Sequence, residues 1–244
     1  MQFKNHKITE ALCAFRFEST IDNIGISLFG EYFNKIKSDG FIHQKDFEPL
    51  KFSFQINPSD RSSQNKIEED NLTMLFTNSE KNFSILIRQN YISFHALKNS
   101  YSGWDNFFNN YVKVYLEKYL ELESNVSIKN TQMLYLNNFE IDINENLSDY
   151  LNCVPNSQNF GESSEFYLLS QSNYKIKPNL DVILKTGLKI EDSTSLKKIT
   201  LECNCISHKN NVNDDWVKLI NQSHDKAYDV FVKVTNDKFK EFIK

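Results

Sequence analysis

A chain that carries two long stripes of aromatic and aliphatic side chains at helical spacing has few ways to hide them. The first stripe runs Trp104, Phe108, Tyr111, Tyr115, Tyr119 and Leu122, widened by Phe107 and Val114. At roughly 100° per residue these positions share one broad face, with Asp105, Asn109, Lys113, Glu117 and Glu121 opposite. Ser102 and Asp105 precede the run in the spacing of a capping box, so a helix is predicted over 102–123. The second stripe is Trp216, Leu219, Ile220, Ala227, Val230, Phe231 and Val234, and it predicts a closing helix over 216–243 capped by Asn213. Neither helix can stand alone in water. Each needs an apolar floor.

The rest of the chain supplies strands to build that floor. Ala11, Cys13, Phe15 and Phe17 alternate with Leu12, Ala14 and Arg16, the period of a strand. Leu50, Phe52, Phe54 and Ile56 alternate with Lys51, Ser53 and Gln55 in the same way, and 57–71, with Pro58, reads as a mobile loop. Strands are predicted over 72–77 and 83–89 as a hairpin about 78–82, and again over 91–97. Between the first strands, Leu28, Phe29, Tyr32, Phe33 and Ile36 make a helix that Asp39-Gly40 stops. From Met133 to Ile141 strict alternation predicts a long strand, followed by a helical turn over 147–151 and a loop over 156–165. Strands over 166–170, 180–190 and 196–207 complete the set, the last two joined by a turn at 191–195.

Laid on one another with Trp216 over Trp104, the two stripes match weakly: Leu219 on Phe107, Ile220 on Phe108, Ala227 on Tyr115, Phe231 on Tyr119. Each half of the chain also runs strand, helix, antiparallel strands, long helix. The expected fold is therefore α+β, with two similar halves, 1–126 and 127–244. Each lays a long helix across an antiparallel sheet in a helix-grip or saddle-like arrangement, the two sheets either separate and closely packed or joined into one curved surface.

Charge and cysteines narrow the function classes. The net charge of −4 comes without any run of more than two basic residues, so a duplex-DNA track is not expected. No stretch reaches the ~20 apolar residues of a membrane span, and the polar start lacks a leader's apolar segment. With four cysteines read as free thiols, a cytoplasmic protein is expected.

Four short motifs, in order, resemble a family. Glu10-Ala11 followed by Arg16-Phe17 resembles its opening Glu-Ala-x-x-x-x-Arg-Phe strand. Tyr101-Ser102-Gly103-Trp104-Asp105-Asn106-Phe107 resembles its Tyr-x-x-Trp-Asp-x-Phe helix start. Leu134-Tyr135-Leu136-Asn137 resembles its Arg-Tyr-x-Asn strand, with Leu134 where Arg is usual. His224, with Phe231 and Thr235, resembles its closing His-x6-Phe-x3-Thr helix. The family is a sporadically distributed prokaryotic one, of about this length and with no assigned activity. Its sporadic occurrence resembles that of genes traded with mobile elements and phage-defence loci.

Six residues stand out as candidates for binding a ligand or partner: Tyr91, His95, Tyr101, Tyr135, Asn137 and His224. Tyr91 and His95 share a strand face, and with Tyr101 they would line a groove of the kind on which bases stack. Solvated strand residues are the plainer account of them. Tyr135 and His224 would flank a pocket beneath the closing helix, or His224 would simply bond a neighbouring strand. Asn137 in a strand needs partners for its amide, in a ligand or in a tied-down loop. Cys203 and Cys205 share a face with Ile199 and Leu201, which reads as core. No metal or cofactor is expected, because a second knuckle for zinc is missing and no phosphate loop, nucleophile elbow or zincin motif occurs. The expected function is a non-catalytic binding or regulatory subunit with a protein partner or a second copy of itself, in an anti-phage or toxin–antitoxin setting. The alternatives are a single-stranded nucleic-acid binder and a small-molecule sensor or enzyme with a pocket around His224 and Tyr135.

Overall fold

The computed structural model describes residues 8–18, 26–44, 73–88, 90–98, 100–123, 126–153, 166–190, 195–209 and 215–242. The predicted strand at 50–56 and the predicted loops at 57–71 and 156–165 lie outside the described residues. The strands are β1 (Ile8–Phe17), β2 (Phe41–Gln44), β3 (Met74–Asn78), β4 (Phe83–Arg88), β5 (Tyr91–Leu97), β6 (Ile128–Asp142), β7 (Phe166–Lys177), β8 (Leu180–Ile190) and β9 (Leu196–His208). They form one antiparallel sheet in the order β2-β3-β4-β5-β1-β6-β9-β8-β7. The helices are α1 (Ile26–Ile36), α2 (Trp104–Phe107), α3 (Lys113–Leu120), α4 (Trp216–Val234) and α5 (Asp237–Phe242). The fold class is α+β. No helix among the described residues is long and apolar enough to cross a membrane.

Alternation decides which face the helices cover. Ala11, Cys13, Phe15 and Phe17 of β1 are buried, together with Ile92 and Phe94 of β5 and Met133 and Tyr135 of β6. They pack in one core with Tyr32 of α1, Leu116 and Tyr119 of α3, and Ile220 and Ala227 of α4. Phe17 stacks on Tyr119 at 5.6 Å, and Phe15 meets Trp216 edge-on at the same distance. A second cluster continues the core outward, with Phe139 of β6, Leu201 and Cys203 of β9, Phe231 of α4 and Phe239 of α5. Among the described residues the helices in these clusters pack on the face carrying Phe15, Met133 and Cys203; the face of Leu12, Leu134 and Asn204 carries none of them.

The first predicted helix forms, but with a break in phase. A π-helical turn, Phe108–Val112, separates α2 from α3. It inserts one extra residue, about 100° of rotation, so the apolar face that enters as Trp104, Phe107, Phe108 and Tyr111 leaves as Val112, Leu116 and Tyr119. Val114, predicted to face inward, is exposed, and Tyr115 is only half-buried. The predicted capping box is also absent. Gly103 holds the N-cap position at φ 104° with no side-chain cap, a conformation that favours glycine. Ser102 instead accepts from the Asn106 side chain.

The closing helix starts one residue after its cap, which is Asp215 and not Asn213. The Asp215 carboxylate accepts from the Val217 N–H at 2.9 Å. The helix ends at Val234, well short of 243. Thr235 leaves helical geometry, turns its hydroxyl back to the Phe231 carbonyl at 2.8 Å and forms a β-bridge with Leu151. The Asn152 N–H donates to the Val234 carbonyl and the Asn236 N–H to the Tyr150 carbonyl, each at 2.8 Å, which locks the helix end beside the short helical turn Leu147–Asp149, which lies within the predicted 147–151. The chain then resumes as α5, whose Phe239 is fully buried.

Candidate functional site

The six sequence candidates fall on two opposite faces of the sheet. Tyr101, Tyr135 and His224 come together on the covered face. Tyr101, just before α2, is buried and its hydroxyl shares a 2.8 Å hydrogen bond with that of Tyr135 on β6. Their rings meet edge-on at 5.4 Å. His224 of α4 stacks flat on Trp104, with centroids 4.3 Å apart and planes 14° from parallel, and points its edge toward Tyr135 at 6.3 Å. Trp104 Nε1 donates to Asn221 of α4 at 2.9 Å. Tyr101 therefore does not join Tyr91 and His95; it closes a seam between α2, α4 and β6. Asn137, two residues along from Tyr135, is buried, and its amide reaches the Leu201 carbonyl at 3.5 Å.

The chemistry of this seam is that of packing. Burial pushes the Tyr101 and Tyr135 phenols well above their ordinary range, so neither is a phenolate near neutrality. Burial also lowers the His224 pKa, against the opposing pull of Asp225, whose carboxylate lies 3.0 Å from Nδ1. A neutral imidazole lies face-down on an indole, and two phenols satisfy each other. Cys203 and Cys205 are buried on the same face, and burial pushes the Cys205 thiol up to about 12. Among the described residues no group of three or more His, Cys, Asp or Glu side chains is placed to hold a metal ion.

Tyr91 and His95 lie on the opposite face, called uncovered below because none of the described helices lies on it, and a hydrogen-bonded chain runs there along β5. Tyr91 lies within hydrogen-bonding reach of Ser93, the Ser93 hydroxyl is 2.9 Å from His95 Nε2, and His95 Nδ1 is 2.7 Å from Glu10 Oε1 on β1. Serine, histidine and carboxylate in this order have the bonding pattern of a hydrolase triad. Two features argue against nucleophilic attack. Ser93 is 1 % exposed. Its strand lies between β4 and β1, where backbone N–H groups serve the ladders, so no pair of them is free to hold an oxyanion. The chain fixes the orientation of Tyr91 and His95 and leaves them half-buried.

A row of cross-strand partners passes through Tyr91: Arg88 on β4, Tyr91 on β5, Arg16 on β1, Asn130 on β6 and His208 on β9. Sequence reasoning did not single out these arginines, and the signal available was scarcity. Arg16, Arg61 and Arg88 are the only arginines among 28 basic residues. Between α2, the π turn and the edge of β3 lies an open depression of about 340 Å³, lined by Asp39, Asn78, Ser102, Asn106 and Asn110 among others. Its amides are engaged with each other, Asn110 donating to Asn106 and Asn106 to Ser102.

The molecule is thus an α+β sheet protein with one face packed under helices and a second, more polar face on which none of the described helices lies. No protein-family model matches the chain, and no curated protein matches it in sequence. Among solved structures it is similar to one titled Methanococcus jannaschii TBP, at 11 % identity over 91 % of this chain and 97 % of that one. The TM-score of 0.29 is too low for that likeness to bear on fold or function.

Proposed function

We propose that the protein is a non-catalytic binding subunit and that a partner protein adds a strand to the outer edge of β7. One observation carries this reading. β7 is a terminal strand of 12 residues, and Leu169, Tyr174 and Ile176 stand 57 %, 49 % and 45 % exposed along it. A long edge with apolar side chains in water invites pairing, and proteins that leave such an edge open put something on it. Among the described residues no strand pairs with its outer side. Lys175 and Lys177 at its end suit an acidic flank on the incoming segment.

The strand order supports two similar halves, 1–126 and 127–244. β1 and β6 meet at the centre; β5, β4 and β3 lie beyond β1 as β9, β8 and β7 lie beyond β6, and each series ends in a long helix. In that scheme β2 covers the β3 edge, and no described strand covers β7. The exposed edge is the place where the symmetry is unfilled. The seam of Tyr101, Tyr135 and His224, occupied by packing, favours binding over catalysis. The free cysteines suit the cytoplasmic setting of this proposal, and the family resemblance makes a product of a neighbouring gene in a defence locus the first partner to test.

The test is capture from the native host with tagged wild type and with a Leu169→Lys/Tyr174→Glu variant. The expected result is a protein partner held by the wild type and lost by the variant, with slowed amide exchange along β7 in the complex. Recovery of a free monomer at native expression would overturn the reading. A second copy found on β7 by light scattering would place the interface correctly and replace the partner with the chain itself.

A further inference from the structure

We infer that the uncovered face carries a site for a single phosphate group, gripped by Arg16 and Arg88 on either side of Tyr91. The inference is independent of the β7 reading and concerns a different part of the sheet. Both arginines are direct cross-strand partners of Tyr91, so all three side chains leave the same face in one row. With strands about 4.8 Å apart, the two arginine backbones stand roughly 10 Å from each other. That span suits two extended guanidinium arms closing on one tetrahedral oxyanion above the phenol ring.

Charge marks the row as unfinished. Neither arginine has an ion pair or hydrogen bond to another described side chain, and Arg88 Nε is buried without a partner. A buried guanidinium N–H with nothing to donate to is costly, and an acceptor arriving there would remove that cost. Elsewhere on this face a cation has its partner, Lys185 lying 2.9 Å from Glu202. In the row on one side, Leu86, Ser93, Ala14 and Gln132 are uncharged; on the other side the nearest described carboxylate, Glu18, lies 3.8 Å from Lys209.

Two adjacent uncompensated arginines on a chain of net charge −4 fit one doubly charged group better than a polyanion track. Reading a nucleic-acid backbone takes a succession of cations along the strand. Arginine, not the lysine that dominates this chain, is the side chain whose planar fork meets phosphate oxygens in pairs. The Tyr91 ring adds a surface for a nucleobase or other flat group on the same molecule. The ligand class is a phosphate monoester, with a nucleoside monophosphate as its simplest representative.

The experiment is titration calorimetry of the whole chain in a phosphate-free buffer, with inorganic phosphate, AMP and adenosine as probes. AMP and phosphate are expected to bind and adenosine is not. Arg16→Gln and Arg88→Gln should each weaken AMP by about tenfold or more, the loss of a charge-assisted contact. Arg16→Lys and Arg88→Lys, which keep the charge and lose the fork, should fall between wild type and the glutamine variants, and they guard against misfolding at the half-buried Arg88. No heat with AMP up to ~10 mM would overturn the inference. Affinity unchanged in the double glutamine variant, or equal for adenosine, would do the same. So would an unphosphorylated single-stranded oligonucleotide that competes as well as one with a terminal phosphate, because the site would then be reading a backbone.

Discussion

The two faces of this sheet solve the same problem in opposite ways. On the covered face, most aromatic polar atoms are satisfied by other parts of the fold, Tyr119 being an exception. Tyr32 donates to the Tyr115 carbonyl at 3.0 Å, Tyr111 to the Ser84 carbonyl at 2.8 Å, Trp104 to Asn221, and Tyr101 and Tyr135 bond each other. On the uncovered face the polar groups pair between strands at positions that run from buried Asn204 to exposed Asn138: Glu10 with His95, Gln132 with Asn204, Lys185 with Glu202, Thr200 with Asn138. The first face holds the molecule together through dry contacts whose loss cannot be repaired by water. The second can exchange its partners for water or ligand at little cost. Stability should therefore concentrate on one side of the sheet and binding on the other.

The largest test of that division compares two leucines. Leu116 of α3 is fully buried between the helices and the sheet, and Leu116→Ala should cost about 2–5 kcal/mol in chemical denaturation. Leu136 of β6 is half-buried on the uncovered face, and Leu136→Ala should cost about 1 kcal/mol or less. Similar losses at both positions would mean that the uncovered face is as much a core as the other. A finer comparison uses hydroxyls within the covered face. Tyr135→Phe removes the hydrogen bond between the two buried hydroxyls and should cost about 1–3 kcal/mol, recovered in part by adding Tyr101→Phe. Tyr119 carries a buried hydroxyl without a hydrogen-bond partner, so Tyr119→Phe should be neutral or stabilise by up to about 1 kcal/mol. Equal destabilisation by Tyr135→Phe and Tyr119→Phe would show that these hydroxyls do not matter in the way their bonding implies.

The same contrast explains what was legible in the sequence. Strand faces were legible because side chains alternate strictly: Ala11, Cys13, Phe15 and Phe17 are buried as their period requires, and so are Met133, Tyr135 and Phe139. Helix existence was legible from the two stripes. Helix phase was not, because a π turn adds one residue without any change of composition, and tyrosines at 111, 115 and 119 fit either register. The break at Thr235 was hidden because its cause is tertiary, a bridge to Leu151. Of the six candidate residues, Tyr101 was assigned to the wrong groove, since nothing in its neighbourhood says which side of the sheet the connection to α2 takes. Arg16 and Arg88 meet through β5, and no local pattern announces a cross-strand row.

The smallest effect expected is also the one that tests whether His224 belongs to the closed side. Burial against Trp104 lowers its pKa below the ordinary histidine value, while Asp225 pulls it back. In the unfolded chain the imidazole takes up a proton near pH ~6.5. The folded state resists that proton, so the unfolded state binds more of it as pH falls. The stability contributed by neutral His224 is therefore complete above that pH and is lost as the pH drops through it. Asp105 and Asp225 are the carboxylates that act on the ring, and both oppose the loss. Wild type should lose Tm between pH ~7.5 and ~5.5 faster than His224→Asn does, by a few degrees at most. Every other group is common to both proteins and cancels in the difference. A difference of the opposite sign, with the variant falling faster, would mean that the Asp225 pair outweighs burial and that His224 is a charged surface residue, on the wet side of the division after all.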